Sequence, residues 1–440
     1  MKIFIVCLGS FLLCSLMVYG ELLKVQVSSP SAILMNAESG VILYEKDSYS
    51  LLHPGSITKI ATALFVLDRK IAHLEDLVTA TQDAVAIVPA HLKQADFSKY
   101  PSHRLEHDGS MMGIKAGEVL PFRTLLYGLM LASGNDAANV IAEHVSGSSV
   151  VFISELNQYL KEKGIKDTVF YNAHGLPHPN HLTTAYEMAK MTRLALQIPF
   201  FREIVKTTKY PRTFSGGQTA KEITAHNSLL RPGKYFYPKA IGVKTGHTAK
   251  AGYPIVAAAE HQGRTLIVVL LGCKSIHERY EDAIALFDAA FAQKIVKRTL
   301  FAQDRDRYTL KLKESKIPVE AVLKENVTLS YYPAEEPDFK AYLHWHDVKL
   351  PIAKGDLIGE IQLKTSQGDI LKTGPLFASN SVNKTLISCC LDFFKDHTMI
   401  SLLLLITVSL FLVIIFFKGL SKTCIKKDVS NEKGKGNLVK

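Results

Sequence analysis

From Met399 to Phe417 the chain carries no charge and consists mostly of Leu, Ile, Val and Phe. A run of that length is about what one helix needs to cross the hydrocarbon core of a bilayer. Such a helix puts everything before it on one side of a membrane and everything after it on the other. Lys418, Lys422, Lys426 and Lys427 follow at once, with Lys433, Lys435 and Lys440 beyond and only Asp428 and Glu432 against them. Positive charge of this kind marks residues 418–440 as a basic cytoplasmic tail. At the other end, Lys2 precedes an apolar run from Ile3 to Val18, followed by Tyr19 and Gly20. Residues 1–20 therefore read as a secretory signal, the run being short for a spanning helix; an uncleaved N-terminal anchor is the alternative. Cys14 lacks the small neighbours of a lipoprotein signal, so lipidation there is not expected. The body is expected outside the cell's inner (cytoplasmic) membrane, extracytoplasmic or periplasmic, with lipid a partner through one C-terminal pass.

The formal charge of +11 invites a nucleic-acid reading. An exported body with a basic cytosolic stub accounts for much of it without a phosphate partner, so no nucleic acid is expected. Of the cysteines, Cys7 and Cys14 go with the signal and Cys424 with the tail, leaving Cys273, Cys389 and Cys390. Cys273 closes an apolar run and reads as a buried small residue, and an unstrained disulfide between adjacent Cys389 and Cys390 is not expected. No disulfide framework is implied.

Roughly 370 residues remain outside the membrane, more than one domain usually holds. A boundary near Lys294 divides them into domains at 21–294 and 295–378, with a juxtamembrane linker at 379–398 and the spanning helix at 399–417. In the first, Ala32–Met35 and Val41–Tyr44 flank Glu38-Ser39-Gly40 as a hairpin, and Gly252–Glu260 and Thr265–Leu271 flank His261-Gln262-Gly263-Arg264 as another. Leu125 to Val145 carries helical periodicity on both sides of Ser133, and Tyr280 to Phe291 reads as a closing helix. Strands from both ends with helices between them suggest one antiparallel sheet covered on its faces, an α+β arrangement. From Val296 to Phe377 short alternating runs and turn signals at Pro333, Pro337, Gly355 and Gly368 predict a small all-β domain. His344 and His346 fall on one face of a strand there, with no third or fourth ligand by spacing, so packing or surface histidines are expected rather than a metal site. Ala90 to His107 is a polar stretch whose role the sequence leaves open; it is a candidate for the mouth of a cleft.

Three short motifs bear chemistry: Ser56-Ile57-Thr58-Lys59, Ser133-Gly134-Asn135 and Lys244-Thr245-Gly246. Singly each has an ordinary reading, Ser56 as an N-cap, Lys59 as a solvated helix lysine and Ser133-Gly134-Asn135 as a turn. The chain also holds decoys at Ser381-Val382-Asn383-Lys384 and Lys372-Thr373-Gly374. Context separates the sets. Ser56 follows a Pro54-Gly55 breaker and opens an apolar helical run through Leu67, which the decoys lack. Three residues on along a helix puts Lys59 on the same face as Ser56, where a neutral lysine can take the hydroxyl proton. Burial and a nearby cation such as Lys244 would lower the lysine pKa, and the helix start favours a developing oxyanion.

The segments Pro54–Leu64, Leu131–Ala138, Asn172–Pro177 and Gly242–Thr248 resemble the D-alanyl-D-alanine carboxypeptidases, the low-molecular-mass penicillin-binding proteins of the serine β-lactamase-like superfamily, peptidase family S11. The similarity runs from about Leu23 to about Gly374. It implies a catalytic domain of β-lactamase/D,D-peptidase-like fold with its helical part inserted between the first and last strands. It further implies a second oxyanion donor at the N–H of His247. Gly246 would let the substrate backbone approach. Thr245 and Lys244 would hold the substrate's terminal carboxylate or relay a proton, with Arg279 assisting. Ser133 would pass a proton between Lys59 and the leaving nitrogen, and Asn135 would bind the substrate amide. No metal or cofactor is needed.

The resemblance implies removal of the terminal D-alanine from peptidoglycan stem peptides through an acyl-enzyme, with β-lactams as inhibitors. A D,D-endopeptidase or transpeptidase differs only in which amine or water enters and leaves. A β-lactamase needs a base that activates water, commonly a glutamate on a loop. Asn172 to His181 contains no carboxylate, and Glu187, on the following helix, is expected to face solvent. A non-catalytic penicillin-binding scaffold would have lost a motif residue, and none is lost.

Overall fold

The computed structural model describes residues 11–16, 22–213, 219–366 and 368–428. They form two compact units. One comprises the described part of Val18–Val296 together with Ser330–Pro337; the other comprises Phe11–Leu16, Lys297–Leu329 and the chain from Asp338 onward.

The centre of the first unit is a five-stranded antiparallel sheet. After β1 (Phe11–Leu16), which belongs to the other unit, its strands in chain order are β2 (Ser31–Asn36), β3 (Ile42–Lys46), β8 (Ala240–Thr245), β9 (Ile255–His261) and β10 (Arg264–Leu271). Three short strand pairs are built from β4 (Leu77–Thr79) with β5 (Val119–Pro121) and β6 (Lys209–Thr213) with β7 (Thr219–Thr224), and from β11 (Val296–Phe301) with β14 (Val327–Tyr331), which lead into and out of the second unit. The central sheet runs β3-β2-β10-β9-β8, so strands from both ends of the segment meet in its middle. Both expected hairpins are present, as β2/β3 and β9/β10.

Every residue of β10 is buried, because both faces of the sheet are covered. Ile267, Val269 and Leu271 enter one core and Leu266, Val268 and Leu270 the other, the period-2 alternation of a strand with two apolar faces. On the first face lie α1 (Lys59–Asp68), α3 (Phe122–Met130), α4 (Asn135–Ser146), α5 (Ser149–Glu162), α6 (Ala185–Leu196) and α7 (Pro199–Lys206); α2 (Ala90–Ala95) is a single short turn outside them. The closing helix α8 (Ile276–Phe291) covers the second face. It begins earlier than the apolar pattern suggests because Ser275 caps it, accepting from the Glu278 N–H at 3.1 Å. Helix α1 is buried from Lys59 to Val66, as expected of a helix apolar on all sides.

The second unit is a six-stranded sheet in the order β1-β15-β16-β17-β13-β12, with β12 (Arg307–Leu310), β13 (Val319–Leu323), β15 (Phe339–Trp345), β16 (Leu357–Thr365) and β17 (Ile370–Ala378). Both decoy motifs lie here. Lys372-Thr373-Gly374 is part of β17, and Lys384 is ion-paired with Asp392 and Glu314. The segment read as a linker contains a helix, α9 (Leu386–Asp396), and α10 (Thr398–Asp428) follows. Its portion Thr398–Phe416 is long and apolar enough to cross a membrane. Cys273, in the first unit, is buried beside Ser29 (Sγ to Oγ 3.2 Å), and burial pushes its thiol up to about 12.

One boundary differs from the sequence reading. Ser330–Pro337, assigned by pattern to the small domain, belongs with the catalytic unit. Ala334 is buried in the α8 core, and Glu335 accepts from Asn36 Nδ2 (3.3 Å) and from Arg264 Nη2. The Arg264 guanidinium lies 3.6 Å from the Tyr332 ring centroid and donates to Ala290 O at 3.0 Å. Glu335→Ala leaves that buried guanidinium without its carboxylate and should cost about 3–5 kcal/mol in urea unfolding of this unit. A loss below about 1 kcal/mol would mean that the pair behaves as a surface ion pair.

Candidate active site

Pro54 stops the preceding chain, and Ser56 is the second residue of a single 3-10 turn (Gly55–Thr58) that runs directly into α1. Lys59 is therefore one turn from Ser56 and on the same face. Its Nζ is fully buried and meets three groups: Ser56 Oγ at 3.0 Å, Asn135 Oδ1 at 2.7 Å and the main-chain oxygen of His174 at 2.8 Å. Desolvation first, and the Lys244 charge second, hold its pKa well below the ordinary lysine value, against an opposing pull from Asp136. A neutral amine has two N–H donors and one lone pair. In that form the two carbonyl oxygens, Asn135 Oδ1 and His174 O, can take the hydrogens and leave the lone pair to the Ser56 hydroxyl, whereas the charged form donates to all three.

Asn135 is the first residue of α4, with its N–H on Ser110 O at 2.8 Å. Asp136 is buried and accepts from the N–H groups of Met112 (2.8 Å), Gly113 (2.7 Å), Ile114 (2.9 Å) and Ala137 (2.9 Å). That carboxylate ties the 109–114 loop to the start of α4 and so fixes Asn135. Ser133 lines the same cleft in the left-handed backbone region (φ 59°), which non-glycine residues seldom adopt and which often marks functional turns. The three Lys59 bonds go elsewhere, so Ser133 is a neighbour of the lysine cluster and not one of its direct partners.

The strand β8 runs past Ser56 and supplies Lys244, Thr245 and, just beyond its end, Gly246. A Cβ at Gly246 would lie 2.9 Å from Pro254 Cγ, 3.1 Å from Pro54 O and 3.1 Å from Ser56 N. The missing side chain lets the strand close on the turn that holds Ser56. Gly246 N and Thr248 N both point toward the β9 side, bonding Pro254 O (2.9 Å) and Gly252 O (3.4 Å). Alternation in an extended edge segment turns the intervening His247 N–H the other way, toward Gly55 and Ser56. A Cβ built on Gly55 would be 3.7 Å from that nitrogen. As a first-turn group, the Ser56 N–H also has no intrahelical acceptor. The His247 nitrogen thus lies on the side of the strand that faces the Gly55–Ser56 turn. The His247 ring is exposed, stacked on Tyr253 with centroids 4.2 Å apart.

Lys244 and Lys59 lie under the floor of the cleft, not in its wall. Lys244 is buried, donates to Thr245 O at 2.8 Å and is lowered to about 7 by desolvation and by Arg279. Arg279 does reach the wall. It donates to Gly246 O at 3.0 Å and to Tyr280 Oη at 3.3 Å. The cleft holds about 540 Å³ and is lined by Ser56, Ser133, Asn135, Thr245, Gly246, His247 and Arg279, and on the facing side by Ala90, Gln94, Glu106 and Asp108. The 90–107 stretch therefore forms one wall. Beneath it Lys93 and Glu106 make a buried ion pair, Lys93 also donating to Arg104 O at 3.0 Å.

Two contributors lie outside the three motifs. The His174 carbonyl is one, and its position follows from Gly175 (φ 94°), where a Cβ would overlap Gly55 O at 1.9 Å. The neutral His174 ring, held well below its usual pKa by burial and by Lys93 and Lys59, donates from Nε2 to His103 O (3.1 Å) and accepts at Nδ1 from Leu176 N (3.1 Å). His226, also on the cleft wall, is the other; burial and Lys244 lower its pKa. Glu187 differs from the sequence reading. It is buried, capping the chain before it through Lys166 N (2.6 Å), Asp167 N (3.1 Å) and Thr168 Oγ1 (2.6 Å), because Thr184 starts α6 with that face inward.

The model of the family described as D-alanyl-D-alanine carboxypeptidase matches residues 20–275. The D-alanyl-D-alanine carboxypeptidase DacF of Bacillus subtilis is 30% identical over 359 residues, 80% of this chain and 86% of that protein. Penicillin binding protein 5 from Haemophilus influenzae shares the fold at a TM-score of 0.55 and 24% identity, over 83% of this chain and all of that one. The Streptomyces K15 DD-transpeptidase, solved as a mutant, is 29% identical at a TM-score of 0.54, over 61% of this chain and 100% of its own. With a family match over more than half its length and a relative that it spans nearly end to end, this chain belongs to the D-alanyl-D-alanine carboxypeptidase family.

Proposed function

We propose that the chain is a membrane-held serine carboxypeptidase that removes the terminal D-alanine of peptidoglycan stem peptides, with Ser56 as nucleophile and Lys59 as its base. The observation that carries this reading is the Lys59 amine, buried, 3.0 Å from Ser56 Oγ and within hydrogen-bond distance of Asn135 Oδ1 and the His174 main-chain oxygen. In the first step Lys59 Nζ takes the Ser56 proton while Oγ attacks the carbonyl carbon of the penultimate D-alanine. The oxyanion is met by the N–H groups of Ser56 and His247. As the C–N bond breaks, the Ser133 hydroxyl relays the proton from Lys59 to the leaving nitrogen, and free D-alanine departs. Water then gives its proton to the site base and attacks the ester, restoring Ser56. Asn135 binds the substrate amide on the acyl side. The terminal carboxylate is met by Thr245 and Arg279 in the wall, while Lys244 acts from beneath by its field.

The same reading puts residues 1–20 in a cleaved signal, the apolar part of α10 in the inner membrane, the body on its outer face and the basic tail in the cytoplasm. Removal of the signal takes β1 away and leaves β15 at the edge of the small sheet. Transpeptidation is the second reading, favoured by the name of the Streptomyces relative. It needs an acceptor amine in place of water, and incubation with D-alanyl peptide and a labelled amine would report it as a new amide.

A fluorescent penicillin should label the full chain covalently, and Ser56→Ala should abolish both labelling and D-alanine release from a pentapeptide while leaving the thermal midpoint in place. Labelling that survives the substitution would overturn the nucleophile assignment. The penicilloyl ester should outlive the peptide acyl-enzyme, since the 172–181 loop offers no carboxylate to activate water and, of the two carboxylates on the facing wall, Glu106 is paired with Lys93 and Asp108 lies across the cleft from Ser56. Rapid penicillin turnover with little D-alanine released would instead mark a β-lactamase.

Lys59 must be neutral to accept a proton, so kcat/KM should rise with pH through the Lys59 pKa. Lys244→Met removes the nearby cation, favours the protonated amine and should move that acid limb to higher pH by about 1 unit. An unmoved limb would mean that burial alone sets the lysine.

A further inference from the structure

A second hollow, of about 530 Å³, is built from the same 90–107 stretch and the same 172–181 loop as the catalytic cleft. Gln94 and Pro177 line the cleft, while Phe97 and His178 line the hollow. Pro177 and His178 are neighbours in the chain, with Cα atoms about 3.8 Å apart. Asn172 joins the two, its Nδ2 lying 2.9 Å from Ser102 Oγ in the hollow and 2.9 Å from Leu176 O at the cleft. One side of the hollow is aromatic. Tyr171, 38% exposed, stacks on His178 with ring centroids 3.8 Å apart, and Phe97 lies 4.5 Å from the same imidazole. The exposed Val150, at the start of α5, adds an aliphatic patch. The lining holds no Asp, Glu, Lys or Arg, and burial is the first cause that keeps His103 and His178 below the usual imidazole pKa. Hydroxyl groups stand among these surfaces. Ser149 is buried and its Oγ has no hydrogen-bond partner among the described residues, while Ser102 Oγ, having accepted from Asn172, keeps its own proton to give.

We propose that this hollow is a subsite for the glycan strand from which the stem peptide hangs, taking the pyranose ring of an N-acetylated hexosamine against Tyr171 and Phe97. The proposal rests on the stem-peptide reading of the cleft. The chemistry of the lining selects a sugar. A pyranose is neutral, with C–H faces that lie on aromatic rings and an edge of hydroxyls. An acyl chain would leave Ser102 and Ser149 unpaired, and a charged peptide would find no counter-charge. The volume is that of a small-ligand site, which is mostly apolar with a few polar groups. Reach agrees as well. The four residues before the scissile bond span at most about 14 Å, and the residues that line hollow and cleft interleave along the chain. A sugar held here confines the peptide end near Ser56, so stems still on their glycan should be cleaved in preference to free peptide.

The test gives the full chain, in detergent, a free pentapeptide and the same pentapeptide on its disaccharide, and follows D-alanine release. The value of kcat/KM should be about tenfold higher for the disaccharide form, through KM. Two variants remove the preference by different routes: Phe97→Ala takes away a stacking face, and Ser154→Trp, at an exposed position of α5, fills the hollow. Each should bring the ratio to unity and leave the free pentapeptide rate unchanged. Tri-N-acetylchitotriose, which carries no peptide, should bind the full chain saturably in saturation-transfer NMR and lose that binding in both variants. Equal cleavage of the two substrates by the unsubstituted protein, a preference that persists in Ser154→Trp, or absence of saturable trisaccharide binding would each overturn the subsite. Uptake of anilinonaphthalene sulfonate in the hollow with no uptake of sugar would mark an apolar docking groove and overturn it too. If neither peptide releases D-alanine while the trisaccharide binds and is lost in both variants, the subsite stands and the stem-peptide reading of the cleft falls.

Discussion

The site depends on taking one lysine out of water. A charged ammonium at the position of Lys59 would have to keep its charge under full burial, 2.8 Å from one acceptor and 2.7 Å from another, with a second lysine nearby. Desolvation and the Lys244 charge both oppose that state. Much of the unit maintains this burial. Helix α1 is apolar on all sides, Asp136 fixes α4 so that Asn135 caps the amine, and Gly175 lets the 172–181 loop lie close enough for the His174 carbonyl to do the same.

The scaffold supplies the opposing side. Because β10 has two apolar faces, the sheet can carry helices on both, and its edge strand β8 brings Lys244, Thr245 and the segment that follows them alongside Ser56. Gly246 and Gly55 remove the side chains that would hold strand and helix turn apart. Hydrogen-bond donors placed by backbone geometry need no reorganisation when charge develops, the condition under which such donors are most effective.

Ser56, Lys59, Asn135 and the strand of Lys244 were legible because each is a side-chain requirement set in a local pattern: a breaker before a helix, a turn between helices, a strand before a hairpin. The His174 carbonyl was not, because a main-chain oxygen leaves no residue-type signal; the only trace was Gly175, whose need for a positive φ shows in a structure and not in a string of letters. Glu187 looked solvated on helix periodicity, yet its partners are backbone N–H groups of the preceding loop, which no pattern advertises. Ser330–Pro337 has the turn-rich composition of the small unit, and only the long-range pairing of Glu335 with Arg264 assigns it to the other.

The most direct test of this account is the protonation state of Lys59 in the free protein, followed by the 13Cε resonance of labelled lysine through a pH titration and assigned with Lys59→Arg. The account predicts that the signal lost in Lys59→Arg stands in the neutral-amine position well below about pH 10.4, the value of an unperturbed lysine, and separately from the signal of the buried Lys244, which is lowered to about 7. A Lys59 signal that titrates together with the exposed lysines would contradict it.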